Sequence, residues 1–129
     1  MKISFVIPCY NAAKNINGVV AEIDEAMKAR PDIAYEIVMV NDASPDDNTA
    51  EVIEEIARRH PAAIAVDLAK NVGQASALLA GLAQTSGDVI MTSDDDGQTP
   101  VGEVFTFLDE LERGNYDVVC ARYVEREIG

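Results

Sequence analysis

Short apolar runs alternate with segments whose apolar residues recur every three to four positions, and this alternation restricts the fold more than any other feature. Residues 3–8 form an apolar run that Pro8 is expected to close, a strand ending at a loop. Ile16, Val19, Val20, Ile23 and Met27 then mark one face of a helix over residues 14–29. Residues 35–40 are a second strand, followed by a polar, turn-rich stretch with Pro45 as a breaker. Val52, Ile53 and Ile56 mark a second helix that ends near His60. Residues 62–68 are a third strand, and a third helix follows Gly73. Residues 88–92 are a fourth strand. Thr99 and Pro100 have the form of an N-cap with proline at the first helical position, and Val104, Phe105, Leu108 and Leu111 face inward from that helix. Residues 117–121 are a fifth strand. Short strands that are apolar on both faces need helices on both sides. The pattern therefore predicts an α/β fold with a doubly wound, mainly parallel sheet.

At 129 residues the chain is one domain's worth, with 48% hydrophobic residues to build a core. Its net charge of −13 argues against direct binding of nucleic acid or of an anionic membrane surface. Two cysteines, Cys9 and Cys120, are too few for a disulfide scaffold and are expected to be reduced, buried thiols. The opening apolar run is too short for an export signal. Residues 71–87 are uncharged but carry Asn71, Gln74, Ser76, Gln84 and three glycines, so they predict a buried, small-residue helix rather than a membrane span. A cytoplasmic location is the expectation.

In a doubly wound sheet, ligands bind beyond the carboxyl ends of the strands. The polar residues of this chain cluster there. Pro8, Tyr10 and Asn11 follow the first strand, and Asp42 opens the loop after the second. Asn71 and Gly73 follow the third, and Asp94, Asp95, Asp96 and Gln98 follow the fourth. Three consecutive carboxylates repel one another, so a buried cluster needs protons or a cation, and hard oxygen ligands favour Mg2+ or Mn2+. A solvated acidic turn before a helix is the competing reading of the triplet. Asp42 could be an Asx-turn or cap residue, but Asp46 and Asp47 are better placed to cap the second helix, leaving Asp42 free for a ligand. Asn71 and Gly73 read equally as turn residues. His60 reads as a surface residue at a helix end.

These segments resemble the family 2 glycosyltransferases of GT-A fold. The residues that carry the resemblance are Val6 to Asn11, Val40 to Asp46, Asn71 to Ala75 with Gly81, Gly87-Asp88, and Asp94 to Pro100. They occur in the family's order and with its spacing across essentially the whole chain. Asp94-x-Asp96-x-Gln98-x-Pro100, with residues 116–119 and Arg122 beyond, looks most like the polyprenyl-phosphate branch, of the dolichol-phosphate mannose synthase kind. The resemblance implies that Pro8, Tyr10, Asn11, Asn71 and Gly73 border the donor nucleotide and that Asp42 binds its base or ribose. It implies that Asp94 and Asp95 face the ribose and sugar, and that Asp96 and Gln98 hold Mg2+ or Mn2+ on the diphosphate, with Asp94 also at the metal. Two positions depart from the family pattern. Ala12 stands where a glutamate is usual, and Asn41 replaces the first aspartate of the second loop, so the base is left open.

The implied reaction is inverting transfer of a sugar from a nucleotide-diphosphate sugar to an acceptor, a lipid phosphate or a glycan. The chain is expected to be one donor-binding domain, residues 1–129, cut short on its acceptor side, with the catalytic base outside it. Self-association as a homodimer through an apolar edge, and membrane association of a full-length protein, are further expectations. Two rivals are a haloacid dehalogenase-type phosphatase and a phospho-receiver domain. The first needs its acidic motif after a first strand. The second needs an acidic pair where this chain has Cys9-Tyr10-Asn11.

Overall fold

The computed structural model describes residues 1–45, 47–93 and 104–114. Eight elements follow in order: β1 (Lys2–Cys9), α1 (Ile16–Met27), β2 (Ala34–Asn41), α2 (Thr49–Arg59), β3 (Ala63–Asp67), α3 (Gln74–Leu82), β4 (Val89–Thr92) and α4 (Val104–Gly114). The four strands form one parallel sheet in the order β3-β2-β1-β4. The chain first steps outward from β1 through β2 to β3, then crosses back to the far side of β1. That reversal puts the switch point of the sheet between β1 and β4. The expected fifth strand, Cys120 and the start of the fourth helix lie outside the described residues.

Alternation along β1 explains how helices come to cover both faces. Ile3, Phe5, Ile7 and Cys9 pack with the apolar stripe of α1, with Ile53 and Ile56 of α2, and with Val104 and Leu108 of α4. On the opposite face Val6, Val38 and Val40 pack with Ala77 of α3. The expected α1 stripe, Ile16, Val19, Val20, Ile23 and Met27, is buried in full. Cys9 is a buried thiol, as its apolar run implied.

Two expectations need correction. Pro8 lies inside β1 rather than closing it. The even-numbered residues of β1 turn their backbone groups toward β4: the Lys2 carbonyl accepts the Asp88 N–H at 2.8 Å and the Val6 carbonyl accepts the Ser93 N–H at 3.0 Å. Pro8 is next in that series and has no N–H to give. Pairing with β4 therefore stops at Val6, whereas pairing with β2 runs on to Cys9. Secondly, α3 is not a buried helix. Only Ala77 and Gly81 are buried, and Leu79 is 65% exposed. Its small residues serve close approach to the sheet instead. A Cβ on Gly81 would stand 2.5 Å from Val6 Cγ1 and 2.9 Å from Val40 Cγ2.

Candidate donor-nucleotide site

The loops after β1, β2 and β3 meet at one edge of the sheet and are tied together by hydrogen bonds. Asp42 is the centre of one knot. It follows β2 directly, its N–H donates to the Cys9 carbonyl at 2.8 Å, and its residue is only 4% exposed. One carboxylate oxygen accepts the Val72 N–H at 2.7 Å. The other accepts the Gly73 N–H at 3.0 Å and the Asn71 side-chain amide at 3.1 Å. The Asn71 amide also donates to the Asp42 carbonyl at 3.1 Å. A buried carboxylate is stable here because three donors compensate its lost hydration. This corrects the expectation of a free Asp42: its carboxylate organises the loop that carries Asn71 and Gly73. Gly73 needs to be glycine, because it turns into α3 at φ +90.

A second knot fixes the loop after β1. The Asn11 N–H donates to Ser44 Oγ at 2.9 Å, and the Ala12 N–H donates to Thr49 Oγ1 at 2.9 Å. The Ala13 N–H donates to Asp47 Oδ2 at 3.1 Å, while Asp47 Oδ1 accepts the Thr49 N–H at 3.0 Å and the Thr49 hydroxyl. Asp47 thus closes an Asx-turn onto Thr49, the first residue of α2; the N-cap position itself is Asn48, whose side chain makes no capping bond, so the expected Asp47 cap is not formed. Burial pushes the Asp47 carboxyl up, but the bonds from Thr49 and the Ala13 amide outweigh it and leave it below the ordinary carboxylate range. Asn11 and Ala43 both adopt left-handed backbone, at φ 51 and φ 50. Tyr10 stands 47% exposed at the rim.

Asn41 links the loop to β3. Its amide nitrogen donates to Asp67 Oδ1 at 2.9 Å, and its carbonyl oxygen accepts the Ser44 hydroxyl at 2.6 Å and the Ser44 N–H at 3.2 Å. Glu54 of α2 lies against Asp67. Its carboxyl is held above the ordinary range, first by the hydrogen bond it shares with Asp67 and then by the like charge.

The structure therefore brings Pro8, Tyr10, Asn11, Asp42, Asn71 and Gly73 to the ends of three neighbouring strands. Asp94, Asp95, Asp96 and Gln98 lie outside the described residues. Ser93, immediately before them, is buried beside β1 at the switch point. Among the described residues no group of three or more His, Cys, Asp or Glu side chains could hold a metal ion. Thr49 and Asp67 were missed as site residues. The Asp47-x-Thr49 spacing was a legible signal for an Asx-turn. Asp67 had none, because only strand register sets it beside Asn41.

Away from this edge, His60 is not a plain surface residue. It is 18% exposed at its side chain, and its Nε2 lies 2.8 and 2.9 Å from the two oxygens of Asp24. Its Nδ1 accepts the Ala62 N–H at 3.1 Å, so a neutral ring carries its proton on Nε2. Tyr35 donates to the same carboxylate at 2.6 Å, and its hydroxyl is pushed up to about 12 by burial and by Asp24.

Known proteins share this architecture. A dolichol-phosphate mannosyltransferase of Pyrococcus furiosus is 33% identical over 125 residues, which is 97% of this chain and 34% of the relative. An undecaprenyl-phosphate 4-deoxy-4-formamido-L-arabinose transferase of Yersinia enterocolitica is 40% identical over 119 residues, 92% of this chain and 36% of the relative. The chain thus spans about a third of the length of these curated relatives. Among solved structures, a mannosyltransferase of Pyrobaculum calidifontis in complex with GDP-Man and Mn2+ aligns with a TM-score of 0.66 at 28% identity, covering 80% of this chain and 30% of that one. The sheet is that of the GT-A glycosyltransferases. The family model described as glycosyl transferase family 2 matches residues 4–129, and the chain belongs to that family.

Proposed function

We propose that this chain binds the donor in an inverting glycosyltransferase that moves a sugar from a nucleotide-diphosphate sugar to a polyprenyl phosphate. The observation that carries the reading is the meeting of three strand-end loops at one edge of the sheet. The Asp42 and Ser44 knots tie the loops after β1, β2 and β3 together there, and in the sequence the aspartate run comes directly after Ser93, which is buried beside β1. The names of the relatives support a lipid-phosphate acceptor, and the GDP-Man and Mn2+ of the solved neighbour support a nucleotide sugar with a divalent ion.

In this reading Tyr10, Asn11, Asp42, Asn71 and Gly73 border the nucleoside. Asp94 and Asp95 face the ribose and sugar, and Asp94, Asp96 and Gln98 hold Mg2+ or Mn2+. A bound divalent ion supplies charge neutralisation for the leaving diphosphate. The protein's own part is to hold the donor so that encounter becomes positioning. A polyprenyl phosphate is already anionic, so it attacks without a strong general base. A glycan hydroxyl would need one.

The site works at the cytoplasmic face of a membrane in this reading, where lipid phosphate and nucleotide sugar meet. None of the described helices is long and apolar enough to cross a membrane. Leu79 and Ile90, 65% and 44% exposed on the α3 side of the sheet, support self-association, which light scattering would reveal.

Thermal shift with a panel of nucleoside diphosphates, with and without Mn2+, tests the function. A uridine or guanosine diphosphate should stabilise the chain, by about 2.7 kcal/mol at a hundred times its dissociation constant. No shift with any nucleotide in the presence of metal would overturn the reading.

A further inference from the structure

Asn41 is the last residue of β2, and its hydrogen bonds join the loop after β2 to β3. Four groups form one chain with every donor pointing the same way. The Asn11 N–H gives to Ser44 Oγ at 2.9 Å, the Ser44 hydroxyl gives to Asn41 Oδ1 at 2.6 Å, and Asn41 Nδ2 gives to Asp67 Oδ1 at 2.9 Å. Aligned bonds that end on an anion polarise one another. The orientation of the Asn41 amide is dictated rather than arbitrary, because the Ser44 N–H also needs the oxygen at 3.2 Å. Asn41 is 4% exposed, and both lone pairs of its oxygen are occupied.

We propose that Asn41 and Asp67 are a positioning pair for the donor nucleoside, acting through Ser44 to hold Asn11 in its left-handed conformation at the mouth of the site. The proposal rests on the donor-binding reading given above. An aspartate at position 41 would set two carboxylates against each other across the 2.9 Å now spanned by the amide. Asn41 and Asp67 face each other in register on β2 and β3, so the pair can be exchanged in place. With N41D and D67N together, the residue at 67 donates and the carboxylate at 41 accepts both from it and from Ser44. The relay is rebuilt with its charge moved by one strand.

The test is a double-mutant cycle read in two ways, at one fixed pH because Glu54 shares Asp67. Titrations with uridine and guanosine diphosphate and Mn2+ read affinity. Hydrogen exchange of the Asn11 amide, followed by NMR without nucleotide, reads the relay alone. N41D should weaken binding about tenfold and lose the amide's protection. The N41D/D67N double variant should recover both, which a general loss of stability would not do. N41D binding as tightly as the parent, or a double variant no better than N41D, would overturn the pair. If the parent chain binds no nucleoside diphosphate, the donor reading falls and takes the nucleoside with it. If nucleotide binds but the Asn11 amide ignores N41D, only the relay falls.

Discussion

The Asp42 carboxylate accepts the Gly73 amide at 3.0 Å, so the residue that directly follows β2 also sets the backbone that starts α3. Asp42→Ala would leave the amides of Val72 and Gly73 and the Asn71 side chain without their acceptor. A stability loss of about 1–3 kcal/mol is expected, together with weaker nucleoside binding whether or not metal is present. Urea unfolding and a titration with nucleoside lacking phosphate measure the two effects. Unchanged values in both would contradict the assigned role.

Asp96→Asn should abolish metal-dependent nucleotide binding and leave the fold intact or slightly stabilised. One fewer charge in the aspartate run relieves like-charge repulsion when no cation is bound. Calorimetric titration of Mn2+ and nucleoside diphosphate, each with the other present, checks it. Equal binding with and without chelator in the parent chain would remove the basis for a metal.

Ala43 adopts φ 50, where a Cβ is strained. Ala43→Gly removes the strain but loosens the unfolded chain, for a net gain of about 0.5–1 kcal/mol. A raised midpoint of chemical unfolding is the expected result, and a lowered one would contradict the strain.

Gly81 lies against Val6 and Val40, two β-branched residues with little freedom to move. Gly81→Ala should cost about 1–3 kcal/mol through overpacking, despite alanine's better helix propensity. A stabilised variant would show that α3 can lift from the sheet without penalty.

Glu36 is buried beside the segment that joins α3 to β4, where its carboxylate accepts Ser4 Oγ at 2.7 Å, the Ser86 N–H at 2.6 Å and Ser86 Oγ at 3.0 Å, with Lys2 Nζ at 3.3 Å. Burial pushes the carboxyl up, but these bonds outweigh it and hold it below the ordinary range. A depressed folded-state value contributes stability above the ordinary carboxylate range and loses it as pH falls through the folded value. Unfolding free energy should therefore fall more steeply on acidification in the parent chain than in Glu36→Gln. Parallel acid limbs for the two proteins would show that Glu36 does not carry this linkage.

Periodicity alone specified four strands, the faces of α1 and α2, and the loops on which polar residues gather. Apolar spacing records which side of an element is buried, and a parallel sheet leaves that record on both faces of every strand. The motif order carried the family, because Pro8, Asp42, Asn71, Gly73 and the aspartate run keep their spacing along the chain. Composition misled at α3, where small apolar residues reflect close approach at Gly81 and not burial all round. Pro8 misled for a related reason. Proline is barred from a strand only where its N–H is needed, and which neighbour needs it is a property of the sheet. Tertiary structure alone decided what Asp42 does, since its partners lie about thirty positions onward and arrive only when β2 and β3 pair. It alone also joined Asn41 to Asp67. Strand register is set by the summed packing of both faces, and no local pattern encodes which side chains then stand opposite each other.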